Sequence, residues 1–392
     1  MLGDKMIFFR SQIPWPALPV IFIFAAAFSG CQPPTQITPE IRIGVITYNK
    51  ADDIERISTI NAATMAVEEV NENGGITLDG KKHRISWIQE DVRGAVPEES
   101  VEATKKLINQ ENVIAIIGPQ YSTDAIPAGE VAENSNIPLI SPISTNPKTT
   151  LDRSFVFRMG FLDEFQGHVA ASFTRQQLRA SRAGVIYNIA NPYSRGIARV
   201  FRDHFEHDGG TIVAFESYTT EQVDFSGQLA KIKNSDPEVL YLPNFSEETK
   251  LIVIQARKMG INVRLMGGDG WDRADFSKMR EFDGAYTTAH YSEQIQSEKN
   301  RDFVNSYKGR FDLVPGDTAA LTYDAFHLVF EAIKFQGKAD PQSVRDGLYA
   351  LGPFEGVGGN IDFVENGDPV KGAVILQFND KEIKFVRIVN PE

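Results

Sequence analysis

Residues 113–147 read VIAIIGPQYSTDAIPAGEVAENSNIPLISPISTNP, and the order of residue types in this stretch decides the fold. Val113 to Ile117 is a short apolar run rich in β-branched residues, as expected of a buried strand. Gly118-Pro119 stops it. Ser122, Thr123 and Asp124 are helix-capping residue types, and a helical stretch follows to about Asn134. Ile137 to Ile140 is a second buried strand, ended by Ser141-Pro142. Both strands run into hydroxyl-rich loops, Gln120-Tyr121-Ser122-Thr123 and Ser144-Thr145. In an open parallel sheet such loops lie side by side at the carboxyl edge, where ligands bind. A helix N-terminus there offers N–H groups and a partial positive charge, suited to a carboxylate or another anion.

The same alternation extends in both directions. Upstream, Ile41 to Ile46 is the first strand, and Ile57, Ile60, Thr64, Val67 and Val70 share one face of a helix that Asn73-Gly74-Gly75 stops. Strand 85–89 and helix 98–110 follow, and 155–159 is extended. Downstream, helices at 165–178, 194–208, 225–233 and 247–259 alternate with strands at 183–187, 211–215, 238–242, 265–266 and 285–289. Helices at 298–311, 317–336 and 341–350 come next. Gly359 to Val389 carries turn signals at Asn366-Gly367-Asp368 and Asn379-Asp380 and reads as short antiparallel strands. Two βαβα series in one chain imply two α/β lobes, each a doubly wound parallel sheet covered by helices.

The 392 residues are 42% hydrophobic and 23% charged, with a net charge of −12, enough for a large core and more than one domain. An acidic chain without a Lys/Arg block does not suit nucleic acid. Lys5 and Arg10 precede an apolar segment, Ile13 to Phe28, and small residues lead to Cys31, the one cysteine of the chain. Residues 1–30 resemble a bacterial lipoprotein signal peptide, with Phe28 where such signals usually carry Leu. Cys31 is then the lipidation site, and 31–40, with Pro33, Pro34 and Pro39, a flexible tether. No other apolar run is long enough to span a membrane.

A set of motifs carries a wider resemblance. They are Ile41-Arg42-Ile43-Gly44-Val45, Ala66-Val67-Glu68-Glu69-Val70-Asn71 with Gly74-Gly75-Ile76, Ile117-Gly118-Pro119, Ile140-Ser141-Pro142, Val223-Asp224-Phe225-Ser226, Gly267-Gly268-Asp269-Gly270, Tyr323-Asp324-Ala325 and Glu365-Asn366-Gly367-Asp368. In this order and spacing, residues 41–389 resemble the periplasmic substrate-binding proteins of the leucine/isoleucine/valine-binding family, the receptors of ABC importers. The resemblance implies the type I periplasmic binding fold: two lobes joined by a three-strand hinge, closing over a ligand in the cleft. It places 41–158 and 290–372 in lobe 1, and 159–289 and 373–392 in lobe 2. It also implies a monomer in the periplasm or at the cell surface, anchored by its N-terminal lipid and delivering an amino acid to an ABC permease in the inner membrane.

The resemblance assigns roles to particular residues. Ser122 and Thr145 would hold the ligand carboxylate, and the Ile143 carbonyl and Asp269 the ammonium. An unpaired Asp269 in a closed cleft would be costly, so the unliganded form is expected to stay open. Tyr193, Phe245, Trp271 and Tyr121 would supply aromatic walls, with Tyr48 on a neighbouring loop. Each has a plainer reading from the residues alone: Ser122 as a helix cap, Thr145 as a turn residue, Asp269 as a turn former between glycines, the aromatics as core.

No H-E-x-x-H, G-x-S-x-G, Walker A or G-x-G-x-x-G motif is present, and no enzyme, cofactor or metal is expected. His204 and His207 share a helix face but sit among acids, which reads as solvated surface. Two other roles remain open on the same fold: an envelope lipoprotein that activates a partner enzyme, and a sensor for an amide, urea or aromatic acid.

Overall fold

The computed structural model describes residues 40–391 except 51, 52, 95, 272 and 364. The proposed signal peptide, Cys31 and tether residues 31–39 lie outside the described residues.

The first series is β1 (Glu40–Tyr48), α1 (Ile54–Glu72), β2 (Ile76–Leu78), β3 (Lys81–Val92), α2 (Pro97–Asn109), β4 (Ala115–Ile117), α3 (Ser122–Asn134), β5 (Leu139–Ser141) and β6 (Val156–Arg158). Its strands form one sheet in the order β2-β3-β1-β4-β5-β6. The second series is α4 (Asp163–Gln176), β7 (Arg182–Asn188), α5 (Pro192–His207), β8 (Thr211–Tyr218), α6 (Ser226–Ser235), β9 (Val239–Leu242), α7 (Ser246–Lys258), β10 (Arg264–Gly267), α8 (Arg273–Phe276) and β11 (Tyr286–Ala289). The chain then returns to the first lobe through α9 (Glu298–Phe311), α10 (Asp317–Gln336), α11 (Pro341–Ala350) and the hairpin of β12 (Phe354–Gly356) and β13 (Gly359–Ile361). It ends in β14 (Ala373–Asn379) and β15 (Glu382–Val389), antiparallel additions to the second sheet, whose order is β15-β14-β11-β10-β9-β7-β8.

Both sheets are covered on both faces, which explains why their central strands are continuously apolar. In the first lobe, Ile43 and Val45 of β1 pack with Phe326 and Val329 of α10 on one face. Ile46, Ile116 and Leu139 pack with Leu107 of α2 on the other. Phe201 and Tyr241 centre one face of the second lobe, and Phe225, Ile252 and Trp271 the other.

The order of strands places the working edge. In the first sheet β3 and β4 flank β1, so the winding reverses between β1 and β4. In the second it reverses between β7 and β9. Loops diverge at such switch points and leave a crevice. The chain passes between the lobes at three places, after β6, after β11 and before β14. Arg158, fully buried at the end of β6, donates to Asp368 in the segment before β14, tying the first connection to the third. At the far edge of the second sheet, the Gln294 amide donates to the Ile383 carbonyl and accepts from the Phe385 N–H. One side chain thus occupies two outward-facing backbone groups of edge strand β15.

The antiparallel pair β2/β3 was not expected; Asp79-Gly80 turns it, both residues at positive φ. Among the described residues no helix is long and apolar enough to cross a membrane.

Candidate functional site

The two switch points face each other, and the loops that leave them touch. From the first lobe, Tyr121 precedes α3, and its backbone N–H donates to the Tyr48 hydroxyl at 3.0 Å, with the two rings stacked 4.8 Å apart. From the second lobe, Phe245 precedes α7 and Tyr193 opens α5, their rings 5.4 Å apart. Tyr121 and Phe245 meet across the cleft at 4.9 Å. Asn146 also crosses, its amide donating to the Pro192 carbonyl at 3.1 Å and to Asp163 Oδ2 at 3.3 Å. Arg273 of α8 reaches Asp317 at the start of α10 (2.8 Å) and the Tyr291 carbonyl (2.9 Å).

The first lobe presents hydroxyls. Tyr121 is the N-cap of α3 and no side chain caps that helix, so Ser122 is not the cap its residue type allows. Its buried hydroxyl instead lies 2.9 Å from Ser144 Oγ and accepts from the Asn146 N–H. Ser144 Oγ in turn meets Thr149 Oγ1 at 2.7 Å. Thr145 is buried beside them, and Ile143 is half-buried against the first-lobe core. Arg158 fixes this loop from behind, donating to the Ser144 and Asn146 carbonyls, both at 2.9 Å, and to Thr150 Oγ1 at 2.6 Å.

The second lobe presents acids. Asp269 follows β10 and its side chain is 4% exposed. It accepts from Gln166 Nε2 (2.6 Å), the Tyr193 hydroxyl (2.8 Å) and His290 Nε2 (2.9 Å). Asp269 therefore has three protein donors where the two loops touch, so the cost expected to keep the unliganded cleft open does not arise. Burial pushes its carboxyl up, but the bonds from His290, Gln166 and Tyr193 outweigh this and hold it below the ordinary aspartate range. Gly268 is needed for the approach, because a Cβ there would lie 2.3 Å from the Tyr193 hydroxyl. Thr287 Oγ1 donates to the Gly268 carbonyl, and Ser194 Oγ to Asn244, so the β7, β9 and β10 loops are held in place.

Asp163, at the first turn of α4, is a second acid in the cleft and was not singled out in the sequence. Burial pushes its carboxyl up to about 8, and the charge of Asp269 adds to this, against Thr145 and Arg158. Gln166 is three residues on, on the same side of the helix, and links α4 to Asp269. His290, also unforeseen, is the first residue after β11 and stacks on Phe161 at 3.9 Å. Around these acids, four buried atoms have no hydrogen-bond partner among the described residues: Asp163 Oδ1, Gln166 Oε1, Tyr241 Oη and His290 Nδ1.

The structure thus gathers Ser122, Thr145, Tyr121, Tyr193, Phe245 and Asp269 at one place. Trp271 is not among them. Its indole N–H donates to the Leu242 carbonyl, and its ring packs on Phe276, Phe282 and Phe378. Two residues beyond Asp269 the chain has turned inward, and the wall residue expected there is core.

Residues 40–382 match the family model described as periplasmic binding protein. The chain belongs to that family. It is 27% identical over 312 residues to the leucine-, isoleucine-, valine-, threonine- and alanine-binding protein of Pseudomonas aeruginosa, covering 78% of this chain and 80% of the relative. It resembles the solved structure of LivJ, a branched-chain amino acid transporter substrate-binding protein of Streptococcus pneumoniae in complex with isoleucine, at 30% identity and a TM-score of 0.82, over 90% of this chain and all of that one. A leucine-binding protein, LivK of Thermotoga maritima, matches at 28% identity with the same TM-score, over 90% of this chain and 99% of that chain. A benzoate-complexed solute-binding protein of R. palustris, at 19% identity, shares the fold.

Proposed function

We propose that the protein is an extracytoplasmic solute-binding receptor of an ABC importer, and that it captures an α-amino acid between its lobes and hands it to a permease. The observation that carries this reading is the polarity of the cleft. Hydroxyls and the uncapped start of α3 lie on one side, and Asp163 and Asp269 on the other. A zwitterion needs that pairing. Ser122 and Thr145 take the carboxylate, Asp269 the ammonium, and Tyr121, Tyr193 and Phe245 enclose the side chain. Buried polar atoms without partners cost about 1–3 kcal/mol each, and the four around the acids suit a polar guest that supplies the missing bonds.

The lobes divide at 41–158 with 290–372 and at 159–289 with 373–392, and closure is a hinge motion about the three connections. Cys31 carries the lipid anchor, and the receptor works as a monomer. The leucine-binding relatives support a branched-chain or related amino acid.

Thermal shift and calorimetry against the twenty L-amino acids, acetamide, urea and benzoate test the reading. At least one amino acid is expected to stabilise the fold at micromolar concentration. A response confined to an amide, urea or benzoate would replace the amino acid with that ligand. An absence of any response, with an envelope enzyme co-purifying, would support the activator role.

A further inference from the structure

Asp163 has features that a purely structural acid would not need. It is 1% exposed, and among the described residues its carboxyl is held by Asn146 Nδ2, 3.3 Å from Oδ2, and by the Thr145 hydroxyl. Oδ1 has no partner, and one turn along α4 neither has Gln166 Oε1. The groups facing it are the Thr145 hydroxyl, Asn146 and Arg158 from the first lobe, and Asp269, Tyr193, Tyr241 and Glu164 from the second. Arg158 is the cation among them, and it is already engaged by Asp368 and three loop oxygens. Gly196 leaves the carboxyl room, since a Cβ there would lie 3.0 Å from Oδ2. Two acceptors are left over at this pole, Asp163 Oδ1 and Gln166 Oε1, beside the Tyr241 hydroxyl, which can donate or accept.

We propose that Asp163 is a second acceptor for the ligand's ammonium group and gives up its own proton to solvent when that ammonium binds. The proposal rests on the amino-acid reading above and deepens it. An ammonium group carries three N–H donors. Asp163 Oδ1, Gln166 Oε1 and the Asp269 carboxylate make three acceptors at one pole. A buried carboxyl that feels the charge of another resists ionising until a cation joins them, and Asp163 feels the charge of Asp269. Asp163 therefore waits as the neutral acid, in keeping with its carboxyl being pushed up to about 8 by burial first and by Asp269 next. When the ammonium arrives, the O–H bond of Asp163 breaks, the proton leaves to water, and the carboxylate pairs with the ammonium. At this pole one positive charge enters and one leaves, so the pole keeps its net charge. An aromatic carboxylic acid brings no such donors, so this pole selects for an amine.

Calorimetry tests the proton directly. L-Leucine is titrated into the full-length protein at pH 6.5 in phosphate and in imidazole, buffers that differ in ionisation enthalpy. L-Alanine replaces it if leucine does not bind. The observed enthalpy is expected to differ between buffers by close to one released proton, and the difference to shrink as pH rises to 8.5, still below the range in which leucine's own ammonium titrates. Affinity should rise with pH below about 8, by up to about tenfold per unit for a one-proton exchange. Asp163→Asn is neutral and nearly isosteric with the acid form, so its melting temperature at pH 6.5 should stay near that of the unaltered protein. It should lose the buffer dependence and bind leucine at least tenfold more weakly. Its binding of the 2-hydroxy analogue, 2-hydroxy-4-methylpentanoate, should be unchanged. Leucine binding with no proton release at pH 6.5, or an Asp163→Asn variant that binds leucine like the parent, overturns the proposal while leaving the amino-acid reading intact. If the variant does not fold, the proton count on the unaltered protein decides alone. If no amino acid binds the unaltered protein, both readings fall.

Discussion

Asp269 accepts hydrogen bonds from three protein donors, so two ways of removing its charge should have separable effects. Asp269→Asn keeps much of the shape and loses the charge. Charge-assisted hydrogen bonds contribute about 1.5–3 kcal/mol, so amino-acid affinity should fall by roughly 10- to 150-fold in calorimetry. Asp269→Ala should lose binding as well, and in addition leaves Gln166, Tyr193 and His290 without their acceptor. That variant should be less stable by about 1–3 kcal/mol in urea unfolding, and unchanged affinity in either would refute the role given to Asp269. Ser122 and Asp269 were legible because each follows a strand end in a short recognisable motif. Asp163, Gln166 and His290 were not, because they come from a helix's first turn and a crossing segment that carry no local signature. One cue was available: Asp163 and Gln166 lie three residues apart directly after the extended piece 155–159. Trp271 misled because loop placement does not say which way an indole turns. Here the neighbouring phenylalanines and the Leu242 carbonyl decided it.

The elements themselves were mostly readable, since fully buried parallel strands and amphipathic helices leave strong patterns. The short ones were harder. Three residues of β2 show no periodicity, and only Asp79-Gly80 hinted at the hairpin. What no pattern could reveal is how the 142–150 loop keeps its shape. Arg158 does this from underneath, and its partner Asp368 belongs to the Glu365-Asn366-Gly367-Asp368 motif, which gives that stretch a physical reason. Arg158→Met should leave the partly buried Asp368 without its cation and two carbonyls without a donor. Breaking one partner of a fully buried pair costs about 3–5 kcal/mol, and the part exposure of Asp368 brings the cost here below that. Arg158→Met/Asp368→Asn removes both charges and should recover part of this. Urea denaturation of the two variants measures the difference; equal stabilities would mean that the pairing contributes nothing.

At the scale of the molecule, the buried acids set a direction for stability against pH. Burial raises Glu55 to about 7, against its bond from Thr318, and raises Asp163 to about 8. Both exceed the values of about 4 expected in an unfolded chain. Between pH 4 and 8 the folded protein therefore holds protons that the unfolded chain releases, so these groups make stability fall as pH rises through that window. Asp269, Asp91 and Glu69 are shifted down and act only at lower pH. The melting temperature without added amino acid is expected to be higher at pH 5.5 than at pH 8.5. Glu55→Gln/Asp163→Asn should narrow the gap. A melting temperature that climbs with pH in both proteins would contradict the assignment. The two-lobe architecture was legible from the double βαβα series, whereas Glu55, Arg273 and Asp317 converge from distant parts of the chain and needed the fold to be seen together.

Gln294 has a consequence for how the protein keeps company. A sheet ending in an unpaired strand invites another chain to add itself, and β15 carries apolar residues that would reward the addition, with Ile388 41% exposed. By placing its amide on Ile383 and Phe385, Gln294 acts as a stub of a neighbouring strand that is one side chain long. Another strand adding itself at Ile383 and Phe385 would first have to displace Gln294, so that part of the margin is guarded without a proline or a further element.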